Sequence, residues 1–130
     1  MIYSKEHIDA LKEVIKRYES ITDIDILRIH SKHKATYHPY TWEKMPYLIR
    51  KELVFEDGEC LLCKSLNKNT IIDKECMKCI LFVDEHPCVK SSTYLLMGEH
   101  CLSIIHLVKL INARIKYLKR ILSEKTGVEL

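Results

Sequence analysis

The sequence predicts a mainly α fold: about four helices in a single domain spanning residues 1–130, with a four-cysteine zinc-knuckle loop inserted before a long C-terminal helix. Three observations lead there. Apolar residues recur at three- and four-residue steps in several segments, the period of a helix with one buried face. Gly and Pro number only three each in 130 residues, too few for the many tight turns of a sandwich or barrel. Four cysteines fall in two C-x2-C pairs in the middle of the chain. A chain of this length, 47% hydrophobic and 30% charged, can bury one modest core and is short for two domains.

Ser4 is placed to cap a first helix. In it Ile8, Leu11, Ile15 and Tyr18 form an apolar stripe, and Lys5, Glu6, Asp9, Lys12, Glu13, Lys16 and Arg17 cover the other faces. Acids early and bases late suit the helix dipole. Thr22 to His33 reads two ways. Ile24, Ile26 and Ile29 allow a short strand, whereas Ile21, Ile24 and Leu27 to Ile29 fit a helix, and Thr22 with Asp25 resembles a capping box. Helix is the expectation. Lys32 to Thr41 has no apolar period and reads as a loop.

Pro46 suits the first turn of a third helix, where a missing N–H costs nothing. Tyr47, Leu48, Ile49, Leu53, Val54 and Phe55 give that helix an apolar face until Asp57 and Gly58 close it. The longest periodic segment comes last. Leu102, Ile105, Val108, Ile111, Ile115, Leu118 and Leu122 run down one side, Gly127 is a natural stop, and the start lies near Ser91, Ser92 and Thr93 or after Gly98.

Cys60, Cys63, Cys76 and Cys79 stand as C-x2-C, a 12-residue spacer, and C-x2-C. Two thiolates separated by two residues can chelate one ion from a tight turn, and two such turns complete the sulfur tetrahedron of a structural Zn2+ site. Lys64, Lys68, Lys74 and Lys78 lie around these turns, where their charge would offset a zinc tetrathiolate. Iron also accepts four thiolates, and a redox pair of cysteines is disfavoured because no βαβ pattern surrounds it. Cys88 and Cys101 read as small buried hydrophobes, although Cys88, nine residues past Cys79, is near enough to join the metal.

No apolar run approaches the roughly 18 residues of a membrane span, and no N-terminal apolar h-region precedes the first helix. A reducing, cytoplasmic setting follows as the expectation, and there metal binding outranks disulfides. Catalytic signatures are missing. The H-x-E with P-C-x2-C of a zinc deaminase does not match His86-Pro87-Cys88, and no G-x-S-x-G, P-loop, Rossmann or H-E-x-x-H string occurs. The expectation is a non-enzymatic protein. A zinc hydrolase using Cys88 or His86 is the weaker alternative.

Net charge is +3, too small to diagnose a polyanion ligand. Its distribution is uneven: residues 1–59 sum to −1 and residues 60–130 to +4. Lys109, Arg114, Lys116, Lys119, Arg120 and Lys125 carry most of the excess, either as a solvated helix face or as phosphate contacts. His30, Lys32, His33, Lys34, Tyr37, His38, Tyr40 and Trp42 mix cations with stacking surfaces, as in single-strand binding. His30, His33 and His38 are also a weak candidate for a second metal.

With Cys60-Leu61-Leu62-Cys63, Cys76-Met77-Lys78-Cys79, a further Cys88, and Tyr94 before a long helix, residues 42–122 resemble small phage and prophage zinc-knuckle proteins with a C-x-L-C, C-x2-C, C pattern. Ile80 stands where those proteins usually carry Pro. The resemblance implies a phage-encoded helical zinc protein acting in the host cytoplasm, in a family with no agreed activity. The expected partner is a host or viral protein, such as a defence complex. Nucleic acid is the alternative, with Lys64, Lys68, Lys74, Lys109, Lys116, Lys119 and Arg120 as contacts in either case.

Overall fold

A computed structural model describes residues 3–56, 60–65, 79–80 and 101–129. These residues are mainly helical. Helix α1 spans Lys5–Glu19, α2 Asp23–Tyr37 and α3 Thr41–Ile49; α3 runs on into a π-helical turn, Arg50–Val54. A single short turn, α4, spans Leu61–Lys64, and the long C-terminal helix, α5, spans Ile104–Thr126. Helix α1 is central: it packs against α5, α4 and the π turn, while α2 lies on α3. No helix among the described residues is long and apolar enough to cross a membrane.

Local signals set the helix ends. The Ser4 hydroxyl accepts the His7 N–H at 3.1 Å. Thr22 and Asp25 form the reciprocal capping box, with bonds of 3.2 and 3.0 Å, and Ser103 accepts the His106 N–H at 3.2 Å. Each such cap is worth about 1 kcal/mol. Gly127 ends α5 at φ 75°, a left-handed conformation that favours glycine, and its N–H returns to the Ser123 carbonyl at 2.9 Å. Ser91, Ser92, Thr93 and Gly98 lie outside the described residues.

Three expectations are corrected. First, Lys32 to Tyr37 is helix, not loop. Lys32 and His33 reach Glu52 of the π turn at 2.7 and 2.6 Å, and His30 stacks on Trp42 at 4.2 Å. Tertiary contacts of this kind, rather than an apolar period, carry α2 through its last turns. Second, Pro46 lies inside α3, not at its start. It removes one backbone bond at a cost of about 3 kcal/mol. Its neighbours Met45, Leu48 and Ile49 are at most 1% exposed, and each buried side chain contributes about 1.5–3 kcal/mol, so packing outweighs the lost bond.

Third, two apolar faces are rotated from the expected ones. Helix α2 buries Ile26 and Ile29 and exposes Ile24 and Leu27. Helix α5 buries Leu107, Leu110, Ile111, Arg114, Tyr117, Leu118, Ile121 and Leu122, while Leu102 and Ile105 are 64% and 69% exposed. At 3.6 residues per turn the buried face is turned by roughly 80–90° from the predicted stripe. The contact with α1, whose His7, Leu11, Val14, Ile15 and Tyr18 are buried, decides which apolar residues of α5 face inward.

Candidate metal centre

The chain enters the cysteine region from the π turn. Cys60 immediately precedes α4, and its carbonyl accepts the Lys64 N–H at 3.1 Å, with Ser65 N–H on Leu61 at 3.0 Å. This one helical turn sets residues 60 and 63 on neighbouring positions of the same face. Leu62 points into the core at 1% exposure, and Cys60 packs partly buried against it. The second turn is represented by Cys79 and Ile80, both buried. The Cys63 side chain, Cys76, Cys88, His86, Lys68, Lys74 and Lys78 lie outside the described residues.

One imidazole joins the two turns. His7, on α1 and 1% exposed, accepts the Ile80 N–H at Nε2 at 2.9 Å and meets the Ser65 Oγ through Nδ1 at 2.7 Å. Ser65 in turn donates to the Leu62 carbonyl at 2.7 Å. These partners fix the neutral Nδ1–H tautomer, because Nε2 must offer a lone pair and the serine proton is already committed to Leu62. Burial holds the His7 pKa below the usual imidazole value, against a smaller opposing pull from the Leu62 backbone. From α5, Lys125 donates to the Ile80 carbonyl at 2.7 Å. Both backbone groups of Ile80 are therefore held by side chains from different helices.

Buried cations and Cys60 act on the same tyrosine in the core. Tyr18 is buried, and burial is the main cause raising its pKa; Arg114 and Arg50 pull it down, and Cys60 pushes it up. Two guanidiniums, Arg50 at 9% and Arg114 at 7% exposure, thus share the surroundings of one hydroxyl with Cys60. At the other end of α1, burial and Cys79 both raise the Tyr3 pKa, and Lys125 sits 6.0 Å over the Tyr3 ring. Cysteine sulfur is a soft donor that suits a thiophilic divalent ion such as Zn2+, and Cys60 and Cys79 would be two of the four sulfurs such an ion takes. Among the described residues, Cys60 and Cys79 are the only expected ligands with placed side chains, and these residues contain no group of three His, Cys, Asp or Glu that could hold a metal.

The other candidates fall out differently. Cys101 is fully buried just before α5, its thiol directed to the Ser103 carbonyl at 3.5 Å, and burial raises its pKa. Lys64 pairs with Glu56 at 3.6 Å and Lys119 with Glu19 at 2.8 Å. Lys109, Lys116 and Arg120 are exposed on one face of α5, with Arg120 3.9 Å from Glu124 and over the Tyr117 ring at 5.4 Å. Arg114, expected on that basic face, is instead buried. His33 is held by Glu52 and His30 by Trp42, so neither joins His38 in a metal-holding group. Trp42 and Tyr37 pack against the core and leave Tyr40 as the exposed aromatic of that segment, at 60%.

His7, Ser65, Arg50 and Arg114 are the residues that sequence reasoning missed. A signal existed for two of them: His7 continues the Leu11, Val14, Tyr18 face of α1, and Arg114 interrupts the Leu107, Ile111, Leu118 face of α5 at the same spacing. No protein-family model, characterised protein or solved structure matches the chain.

Proposed function

We propose that this protein is a zinc-stabilised interaction module without catalytic machinery, in which Cys60, Cys63, Cys76 and Cys79 hold one structural Zn2+. Its partner in this reading is a protein of the host or the virus, met in the cytoplasm, as the phage resemblance implies. The observation that carries the interaction role is a set of exposed apolar side chains toward the N-terminal ends of α2 and α5. Ile24 is 78% exposed, Leu27 50%, Leu102 64% and Ile105 69%. A groove of about 370 Å³ runs between these helix ends, lined by Asp23, Ile104, Ile105, Val108 and Lys109. Apolar side chains rimmed by opposite charges are the usual composition of a protein contact. The zinc reading is supported by the His7 and Lys125 hydrogen bonds on the two cysteine turns.

The test is recovery of a partner on tagged full-length protein, with Ile24→Asp and Ile105→Asp run in parallel. The reading expects a specific partner that the variants lose while they stay folded. A partner retained equally by both variants contradicts the assigned face, and turnover of a small substrate without any partner contradicts the role.

Lys109, Lys116 and Arg120 on one solvent face of α5 favour a second reading, nucleic-acid binding through phosphate contacts. The internal use of Trp42, His30 and Tyr37 weakens its stacking component. Retention of DNA or RNA on a filter at low salt separates the two readings.

A further inference from the structure

We propose that His7 is the positioning residue of the cysteine centre, fixing from α1 the peptide that enters Cys63 and the peptide that leaves Cys79. The inference rests on the zinc reading above. The Leu62 carbonyl belongs to the peptide bond before Cys63, and the Ile80 N–H to the peptide bond after Cys79. Between these two groups runs one unbroken relay: Ile80 N–H to Nε2 at 2.9 Å, Nδ1–H to Ser65 Oγ at 2.7 Å, and Ser65 O–H to the Leu62 carbonyl at 2.7 Å. The imidazole is 1% exposed, so water does not compete for these bonds.

The relay spans 58 residues of chain on one side and 73 on the other. It is therefore a tertiary clamp, not a local turn. Each held peptide group lies one bond away from the Cα of its cysteine, so the relay fixes the backbone from which each thiol is presented. The ion would then meet a Leu62 carbonyl and an Ile80 N–H that α1 already holds in place. Outer partners of this kind typically change metal affinity by about 10–100-fold when removed. Lys125, from α5, adds a bond to the Ile80 carbonyl at 2.7 Å.

The test compares full-length wild type with His7→Phe and Ser65→Ala, titrated with Zn2+ against a chromophoric chelator and with Co2+ followed by its visible absorption. Wild type is expected to bind one ion per chain. His7→Phe should bind Zn2+ roughly 10–100-fold more weakly, with a shifted or broadened Co2+ spectrum, and Ser65→Ala should move the same way by less. Thermal melts with and without Zn2+ should show His7→Phe losing more stability in the loaded form than in the metal-free form. Unchanged Zn2+ affinity and Co2+ spectrum in folded His7→Phe overturn the proposal. If that variant does not fold, unchanged affinity in Ser65→Ala overturns it equally. A wild-type chain that binds no Zn2+ overturns the zinc reading itself, and the positioning role falls with it.

Discussion

Leu107 and Ile105 lie two residues apart near the start of α5, and shortening each to alanine should have opposite consequences. Leu107 is fully buried and Ile105 is 69% exposed. Leu107→Ala removes packed methyl groups and leaves a cavity, at a cost of about 2–5 kcal/mol, which is a large share of the roughly 5–15 kcal/mol net stability of a typical domain. For Ile105→Ala only about a third of the side chain's roughly 2–3 kcal/mol of burial is at stake. Alanine's higher helix propensity returns about 0.4 kcal/mol, so the net change should stay under about 0.5 kcal/mol. Urea unfolding followed by circular dichroism measures both, with m expected to stay constant. Comparable losses in the two variants, or a loss above about 2 kcal/mol in Ile105→Ala, would refute the orientation of α5 on which the buried Arg114 and the exposed basic face depend.

Stability should fall on mild acidification. His7 has its pKa lowered from 6.5 by burial, so the unfolded chain takes up its proton first; the contribution is complete above about pH 6.5, declines as pH falls through that value, and levels off below the depressed folded pKa. His30, lowered by burial and by Lys34, adds to the loss with the same sign. Burial pushes the Glu52 pKa up, but the hydrogen bonds and charges of Lys32 and His33 together outweigh it and hold it below the usual carboxylate value, so a further loss follows in more acid solution. Melting temperature against pH checks this, and His7→Phe should flatten the slope between about pH 5 and 7, the range in which an imidazole titrates. On α5, replacing Lys109, Lys116 and Arg120 together by Gln should leave stability nearly unchanged, each within about 0.5 kcal/mol. If that face contacts phosphate, the same replacement should reduce the salt dependence of binding by roughly 2–3 log units per log unit of salt; a filter assay across salt concentrations reads both outcomes.

Elements with local signals were legible in the sequence. Ser4, the Thr22 and Asp25 pair, and Gly127 act where their chemistry places them, because a cap satisfies backbone groups within its own turn. The long C-terminal helix was legible for the same reason. What the sequence concealed is whatever a distant element decides. Ile24 and Leu27 satisfy a helical period as well as Ile26 and Ile29 do, and only the approach of α3 selects between them. Pro46 has a strong local preference for a helix start, overridden by the burial of Met45, Leu48 and Ile49 around it. His33 finds its acid, Glu52, 19 residues further along the chain.

The candidate centre divides in the same way. The two C-x2-C spacings are local and visible, and they name the candidate ligands without any tertiary information. The groups that bond the backbone beside Cys79 are not local: His7 comes from α1 and Lys125 from α5. Lysines near the cysteines in sequence looked like the natural counter-charges, yet Lys64 turns to Glu56. Arg114, which the sequence places on a basic face, is buried in the core instead.

The most direct measurement is X-ray absorption at the zinc edge on freshly purified full-length protein, together with its metal content. One zinc per chain, surrounded by four sulfurs at about 2.3 Å, is the expected result. A chain without zinc, or a metal shell in which nitrogen or oxygen replaces any of the four sulfurs, would contradict it.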